Sequence, residues 1–191
     1  DINGEEVMET LAKLKCETVT ILDDEYPLQL KQIQMPPFVL FCKGDLSLLN
    51  GYKNKIAMVG SREPSVYAIT NINRLVKDIA LDYVIVSGCA IGTDSLAQSV
   101  AIENGGKTIG VIGSGIDVPY PSSSKGLIAN IAAKHLLISE YPEGVAPNPQ
   151  YFLDRNRIIV GLCPSVMVFD VRKASGTQST AIKTCYSNRN L

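Results

Sequence analysis

Arg62 directly follows Gly60 and Ser61, and these three residues close the apolar run Ile56–Val59. A strand buried on both faces, a glycine turn and then a helix form the leading edge of a βαβ unit. Such a turn aims backbone N–H groups and a helix N-terminus at whatever lies above the strand, and both favour anions. The Arg62 guanidinium adds a planar fork of donors that matches phosphate geometry. Small hydroxyl residues beside glycine recur as Ser87-Gly88, as Gly113-Ser114-Gly115 and as Ser175-Gly176-Thr177. Glycine lets a ligand approach the backbone closely, and helix starts supply unpaired N–H donors. One Gly-Ser turn is ordinary turn chemistry. Four of them, each after an apolar strand, indicate an anion-binding rim.

The basic residues extend this reading. Lys125 opens the helix after Pro121, Arg155-Asn156-Arg157 precedes the apolar Ile158-Ile159-Val160, and Arg172 and Lys173 end a strand before Ser175. Arg155 and Arg157 have an alternative in ion pairs with Asp154 or Glu140. Lys183 and Arg189 read as solvated charges. A linear anion crossing several strand ends would use such a layout.

Common phosphate-binding signatures are absent. Gly60 has no G-x-G-x-x-G partners, no acidic residue closes the second strand to hold a ribose, and there is no G-x-x-x-x-G-K-[ST] loop. A nicotinamide dehydrogenase and a P-loop ATPase are both disfavoured.

The elements that must position these residues follow from periodicity. Apolar runs predict strands at 56–59, 83–86, 108–112, 136–139 and 165–171. Helical spacing predicts helices near 66–81, 93–104, 124–134, 154–161 and 178–187. Short apolar strands alternating with helices mean an α/β fold with a doubly wound, mostly parallel, extended Rossmann-like sheet. Ligands in such sheets bind at the carboxyl ends of the strands. Residues 1–50 read as a short α+β extension packed on a core of residues 51–191. It comprises a helix near 4–15, strands near 18–22 and 38–41, and helical turns near 28–33.

The 191 residues carry a net charge of −1, with 46% apolar and 19% charged side chains. That is a globular composition, and it excludes a strongly basic, histone-like binder while leaving room for a local basic groove. No apolar run reaches the roughly 18 residues of a membrane span. The five cysteines are scattered and form no C-x-x-C pair, so they read as reduced thiols in a cytoplasmic protein. His135 is the sole histidine, which excludes a His-rich metal site, and it reads as a turn or helix-end residue.

Six motifs agree in order and spacing with one known family. They are Val59-Gly60-Ser61-Arg62, then Ser87-Gly88-Cys89-Ala90-Ile91-Gly92-Thr93-Asp94, then Gly113-Ser114-Gly115-Ile116-Asp117 with Tyr120-Pro121. Ser139-Glu140-Tyr141-Pro142, Phe152 with Arg155-Asn156-Arg157, and Ser175-Gly176-Thr177 complete the series. Over roughly residues 26–189 the chain resembles the DprA/Smf family of DNA-processing proteins. The resemblance implies a fold that binds single-stranded DNA, loads the RecA recombinase onto incoming DNA in natural transformation, and dimerises. It implies no catalytic step and no cofactor. It carries DNA contacts to Arg62, Lys125, Arg155, Asn156, Arg157, Ser175 and Gly176. The chain departs from the family pattern at Thr93 and at Gln98, both expected to be packing variants, while Asp94 is expected to cap a helix or brace a loop. The family's closing strand and helix, and its preceding helical module, are expected to be missing or reduced here.

The mechanism expected from these placements has strand-end turns donating to successive phosphates while Arg62, Lys125 and Arg157 neutralise them. Bases stack outward on Tyr120 or Phe152. Three neutralised phosphates predict a log K against log salt slope of about −2. Two other readings compete. One is a nucleotide-binding or nucleotide-hydrolysing enzyme of the lysine-decarboxylase-like Rossmann group, whose Pro-Gly-Gly-x-Gly-Thr loop is lacking here. The other is a scaffold in which the recombinase matters more than the DNA.

Overall fold

A computed structural model describes residues 14–50 and 54–170. The expected helices near 4–15 and 178–187, the Ser175-Gly176-Thr177 turn, and Arg172, Lys173, Lys183 and Arg189 lie outside them. The strands are β1 (Glu17–Thr20), β2 (Val39–Gly44), β3 (Asn54–Gly60), β4 (Tyr83–Ser87), β5 (Lys107–Ile112), β6 (Leu136–Ser139) and β7 (Ser165–Phe169). The helices are α1 (Leu28–Lys31), α2 (Ser47–Asn50), α3 (Val66–Ile79), α4 (Thr93–Glu103), α5 (Lys125–Lys134) and α6 (Pro149–Gly161), with a 3-10 turn at Ser122–Ser124 before α5.

All seven strands form one sheet in the order β1-β2-β6-β5-β4-β3-β7. The five strands from β6 to β7 are parallel. β2 pairs antiparallel with β6 through Phe41 opposite Ser139, and β1 pairs antiparallel with β2. The N-terminal strands therefore lengthen the main sheet. No helix among the described residues is long and apolar enough to cross a membrane.

Strand alternation divides the core between two layers. Ala57, Val59, Val84 and Val86 pack with Ile158 and Ile159 of α6. Ile56, Met58 and Ile85 pack with Ile72 of α3 and Ala97 of α4. β3 is therefore apolar on both faces, which explains its unbroken run. Each fully buried Val, Ile or Met contributes about 1.5–3 kcal/mol through burial. The crossovers β3-β4-β5-β6 march one way, and the crossover through α6 returns to place β7 on the far side of β3. The direction of winding thus reverses between β3 and β7, and Gly60-Ser61-Arg62 lies at that switch point, where open α/β sheets bind ligands.

α6 starts five residues earlier than periodicity predicts. Asn148 caps it, its side chain accepting from the Gln150 N–H, and Pro149 occupies the first turn. That pairing is a strong helix start, and it brings Tyr151 and Phe152 onto the helix.

His135 ends α5, its N–H donating to Ile131 O at 2.9 Å while its carbonyl accepts from Asp45 N at 2.7 Å. Its ring is buried with Nδ1 unpartnered. Burial, with Lys107 and Lys134 nearby, pushes the imidazole below its ordinary value. The unfolded chain takes up this proton near pH 6.5 and the native state only at lower pH. Between those values the unfolded state binds more protons, so the contribution is whole above about pH 6.5 and lost as pH falls through the native value. Thermal melts from pH 7.5 to 5 are expected to show a steeper acid decline in the parent than in His135→Asn. Parallel declines would contradict this.

Candidate nucleic-acid interface

At the end of β3 the chain is packed too tightly for any side chain at Gly60, where a Cβ would lie 2.8 Å from Thr93 Cβ. Ser61 N–H donates to Phe169 O, and Ser61 O accepts from both Thr93 N and Thr93 Oγ1, each at 3.1 Å. The Ser61 hydroxyl closes a local turn with the backbone of Glu63. Gly60 and Ser61 thus clamp the turn between β7 and the start of α4. Arg62 emerges from it exposed, with no hydrogen bond or ion pair to another described residue. The N-terminus of α3 is already occupied: Ser65 Oγ caps Ala68 N, and Asp170 accepts from Ser65 N and Ser65 Oγ.

Below the rim lies a buried network. Ser87, wholly buried, donates its hydroxyl to Met58 O at 2.5 Å. Gly88 N donates to Asp94 Oδ2 at 3.1 Å, so Asp94 braces the loop as expected. Arg155, only 5% exposed, reaches in from α6 and donates through Nη1 to Gly88 O at 2.7 Å and to Val111 O. A Cβ on Gly88 would meet the Arg155 Cζ and Nη2 at 2.5 Å, so this glycine makes room for the guanidinium. Burial drives the Asp94 carboxyl above its usual range, opposed by Arg155 and by hydrogen bonds from the Gly88 and Ala90 backbone. Burial likewise lowers Arg155, opposed chiefly by Asp94, and Arg62 is close enough to add repulsion. Gln98 completes the network by accepting from Cys89 N and donating to Thr108 Oγ1 and Ile109 O. This geometry corrects the sequence-based assignment of Ser87, Gly88 and Arg155 as phosphate contacts, because Ser87 and Arg155 are buried and the Gly88 N–H and carbonyl are already bonded to Asp94 and Arg155.

The β5 end is also braced. Ser114 Oγ donates to Val118 O, Gly115 N to Val145 O, and Ser139 Oγ to Ser114 O. Gly113 allows Phe152 to pack against the strand end, where a Cβ would lie 2.8 Å from Phe152 Cδ1. The hydroxyls of Ser61, Ser87 and Ser114 therefore shape the rim rather than face a ligand. They sit at strand ends, as their spacing predicts, and act there as braces.

The charges sort into two groups. Arg157 pairs with Glu140 at 2.5 Å, so the ion-pair alternative holds for it. Lys43 pairs with Glu143 at 3.5 Å, and Asp117 accepts from Gly144 N. Arg62, where β3 ends, and Lys125, at the start of α5, are exposed and have no ionic partner among the described residues. Asn156 lies on α6 between its two arginines and is part-exposed. Two aromatic pairs flank this region. Tyr120 lies 5.3 Å from Phe152, tilted by 33°, and Tyr141 stacks on Tyr151 at 4.1 Å.

The sequence profile of the DNA recombination-mediator protein A family matches residues 17–191. The chain belongs to this family. It is 41% identical over 177 residues to DNA processing protein DprA of Streptococcus pneumoniae, covering 93% of this chain and 62% of that protein. The crystal structure of the same pneumococcal protein superposes with a TM-score of 0.91 at 39% identity, over 98% of this chain and 65% of that one. DNA processing protein A of Helicobacter pylori, solved in work on its single-stranded DNA binding mode, gives 0.83 at 30% identity, over 93% and 80%. The chain spans 62% and 59% of the pneumococcal and Bacillus subtilis curated relatives. Membership of the mediator family accounts for the Rossmann-like sheet and for the missing dinucleotide and P-loop signatures.

Proposed function

We propose that this chain binds single-stranded DNA along the carboxyl ends of β3, β4 and β5, as a DNA-processing protein of recombination and transformation, without a catalytic step. The observation that carries this reading is the pair of exposed cations, Arg62 and Lys125, on a rim whose buried charges are otherwise balanced internally. Asn156, part-exposed on α6, extends the same proposed path, and contacts from Ser175, Gly176 and Thr177 are part of the proposal on the family resemblance alone. The H. pylori relative's single-stranded DNA binding supports the choice of ligand. RecA as recipient of the DNA, and a homodimeric state, are part of the proposal and rest on the family. Arg157 is removed from the list of free cations by Glu140. The two remaining described cations account for a slope of about −1.4, at about −0.7 per phosphate on single strands.

Fluorescence anisotropy with a labelled oligothymidylate, against duplex and mononucleotide competitors, tests the reading. Binding that weakens with salt and yields to unlabelled single strands is expected. Tight mononucleotide competition or turnover would favour the nucleotide-enzyme alternative. Salt-independent binding would overturn the rim.

A further inference from the structure

We infer that Tyr120 is a base-stacking subsite, and that Phe152 sets its ring in place as the feature that makes the rim select single strands. This rests on the proposed DNA-binding reading and adds the element that distinguishes an unpaired base from a backbone.

The construction begins on α6. Because Asn148 and Pro149 start that helix early, adjacent residues Tyr151 and Phe152 fall on its first turns. Each is covered by a ring from a different strand-end loop, Tyr141 from beyond β6 and Tyr120 from beyond β5. The Tyr141–Tyr151 stack, with rings 23° from parallel, ties the helix start to the β6 loop. Tyr141 N–H further donates to Ser139 Oγ at 2.9 Å, which in turn holds Ser114 O. Phe152 is pressed against Gly113, where no side chain fits. Phe152 is therefore fixed on one side by the sheet end and presents its other side to Tyr120.

Tyr120 itself remains 45% exposed. A tyrosine used only for packing would turn its apolar face inward; this one is propped by a neighbouring ring and keeps much of its surface in water. The loop carrying it leaves β5, and Lys125, an unpartnered cation among the described residues, opens α5 five positions later. A nucleotide places its phosphate and its base a few ångströms apart on one sugar. An exposed cation and an exposed ring on one short segment match that pairing. A base in a duplex has both faces stacked and cannot lie on such a ring without being extruded, whereas every unpaired base offers a π-face.

The test uses the 191-residue chain with two oligonucleotides of equal length, a thymidylate and one whose sites are abasic. The abasic strand keeps every phosphate and lacks the rings. Tyr120→Ala is expected to weaken thymidylate binding about tenfold, within the range for losing one aromatic stack. It should leave abasic binding and the salt slope unchanged, since no charge is removed. Tyr120→Trp should restore or exceed parental affinity, and Tyr120→Phe should stay near it. A thermal melt matching the parent shows that the fold is kept. Equal losses on both strands, or no loss on either, would overturn the subsite. If thymidylate binding falls in Arg62→Ala but not in Tyr120→Ala, the subsite fails while the rim stands. If the parent binds neither strand, both fall together.

Discussion

Replacing Arg155 with methionine is expected to lower the unfolding free energy by about 2–5 kcal/mol, because two buried carbonyls lose their charged donor, at about 1–3 kcal/mol for each acceptor left unsatisfied. Methionine has similar length and is apolar, so packing loss is small and the cost is electrostatic. Gly88 O and Val111 O lose their shared donor, and Asp94 loses its principal opposing charge. Burial already raises Asp94, and without Arg155 it rises further. A carboxyl raised in the native state keeps its proton to higher pH than in the unfolded chain. The native state then binds more protons, and stability falls as pH rises from the unfolded value of about 3.9 through the native one. The deficit of Arg155→Met is therefore smallest in acid and complete above the native Asp94 value. Asp94→Asn in the same background should recover part of the loss and flatten that pH dependence. Urea unfolding of the parent, both single variants and the double variant measures the coupling. A parental midpoint for Arg155→Met would show that this arginine is not a strut.

The same pair of arginines shows where a sequence stops being informative. Arg155 and Arg157 are two positions apart on α6, so they project about 200° from one another around the helix. One enters the sheet ends and the other meets Glu140. Their spacing is plain, but apolar periodicity begins the helix only near 154 and does not say which arginine faces inward. The sheet was legible because parallel strands buried on both sides leave unbroken apolar runs. The turns after them were legible as places and not as roles. Ser87 looks like an exposed hydroxyl until β4 is laid beside β3, where its Oγ falls on Met58 O. Gly88 looks like an opening for a ligand until Arg155 fills it. Pairing register and helix phase are tertiary facts, and they decide whether a polar atom at a strand end is a donor or a brace.

Arg62 is the residue whose location fits the phosphate contact proposed for it. Gly60, Ser61 and Thr93 hold its backbone rigidly, and its side chain leaves that clamp exposed at the point where the winding of the sheet reverses. The turn that carries it is thus set before any ligand binds, which lowers the backbone share of the ordering cost of a contact. Arg62→Ala is expected to weaken single-stranded DNA binding about ten- to a hundredfold in low salt, the equivalent of one charge-assisted hydrogen-bonded contact at about 1.5–3 kcal/mol. The salt slope should shrink by about 0.7, one phosphate's share on a single strand. Stability should change by no more than about 0.5 kcal/mol, because the side chain is on the surface. Arg62→Lys should keep the slope, since the charge remains, and lose part of the affinity, since the fork is gone. These two readouts separate charge from geometry at one position. Parental affinity and slope in Arg62→Ala would take the phosphate path away from β3, and with it the significance of the switch point. A lost slope with intact stability would leave Arg62 as a contact made by a side chain the fold does not otherwise need.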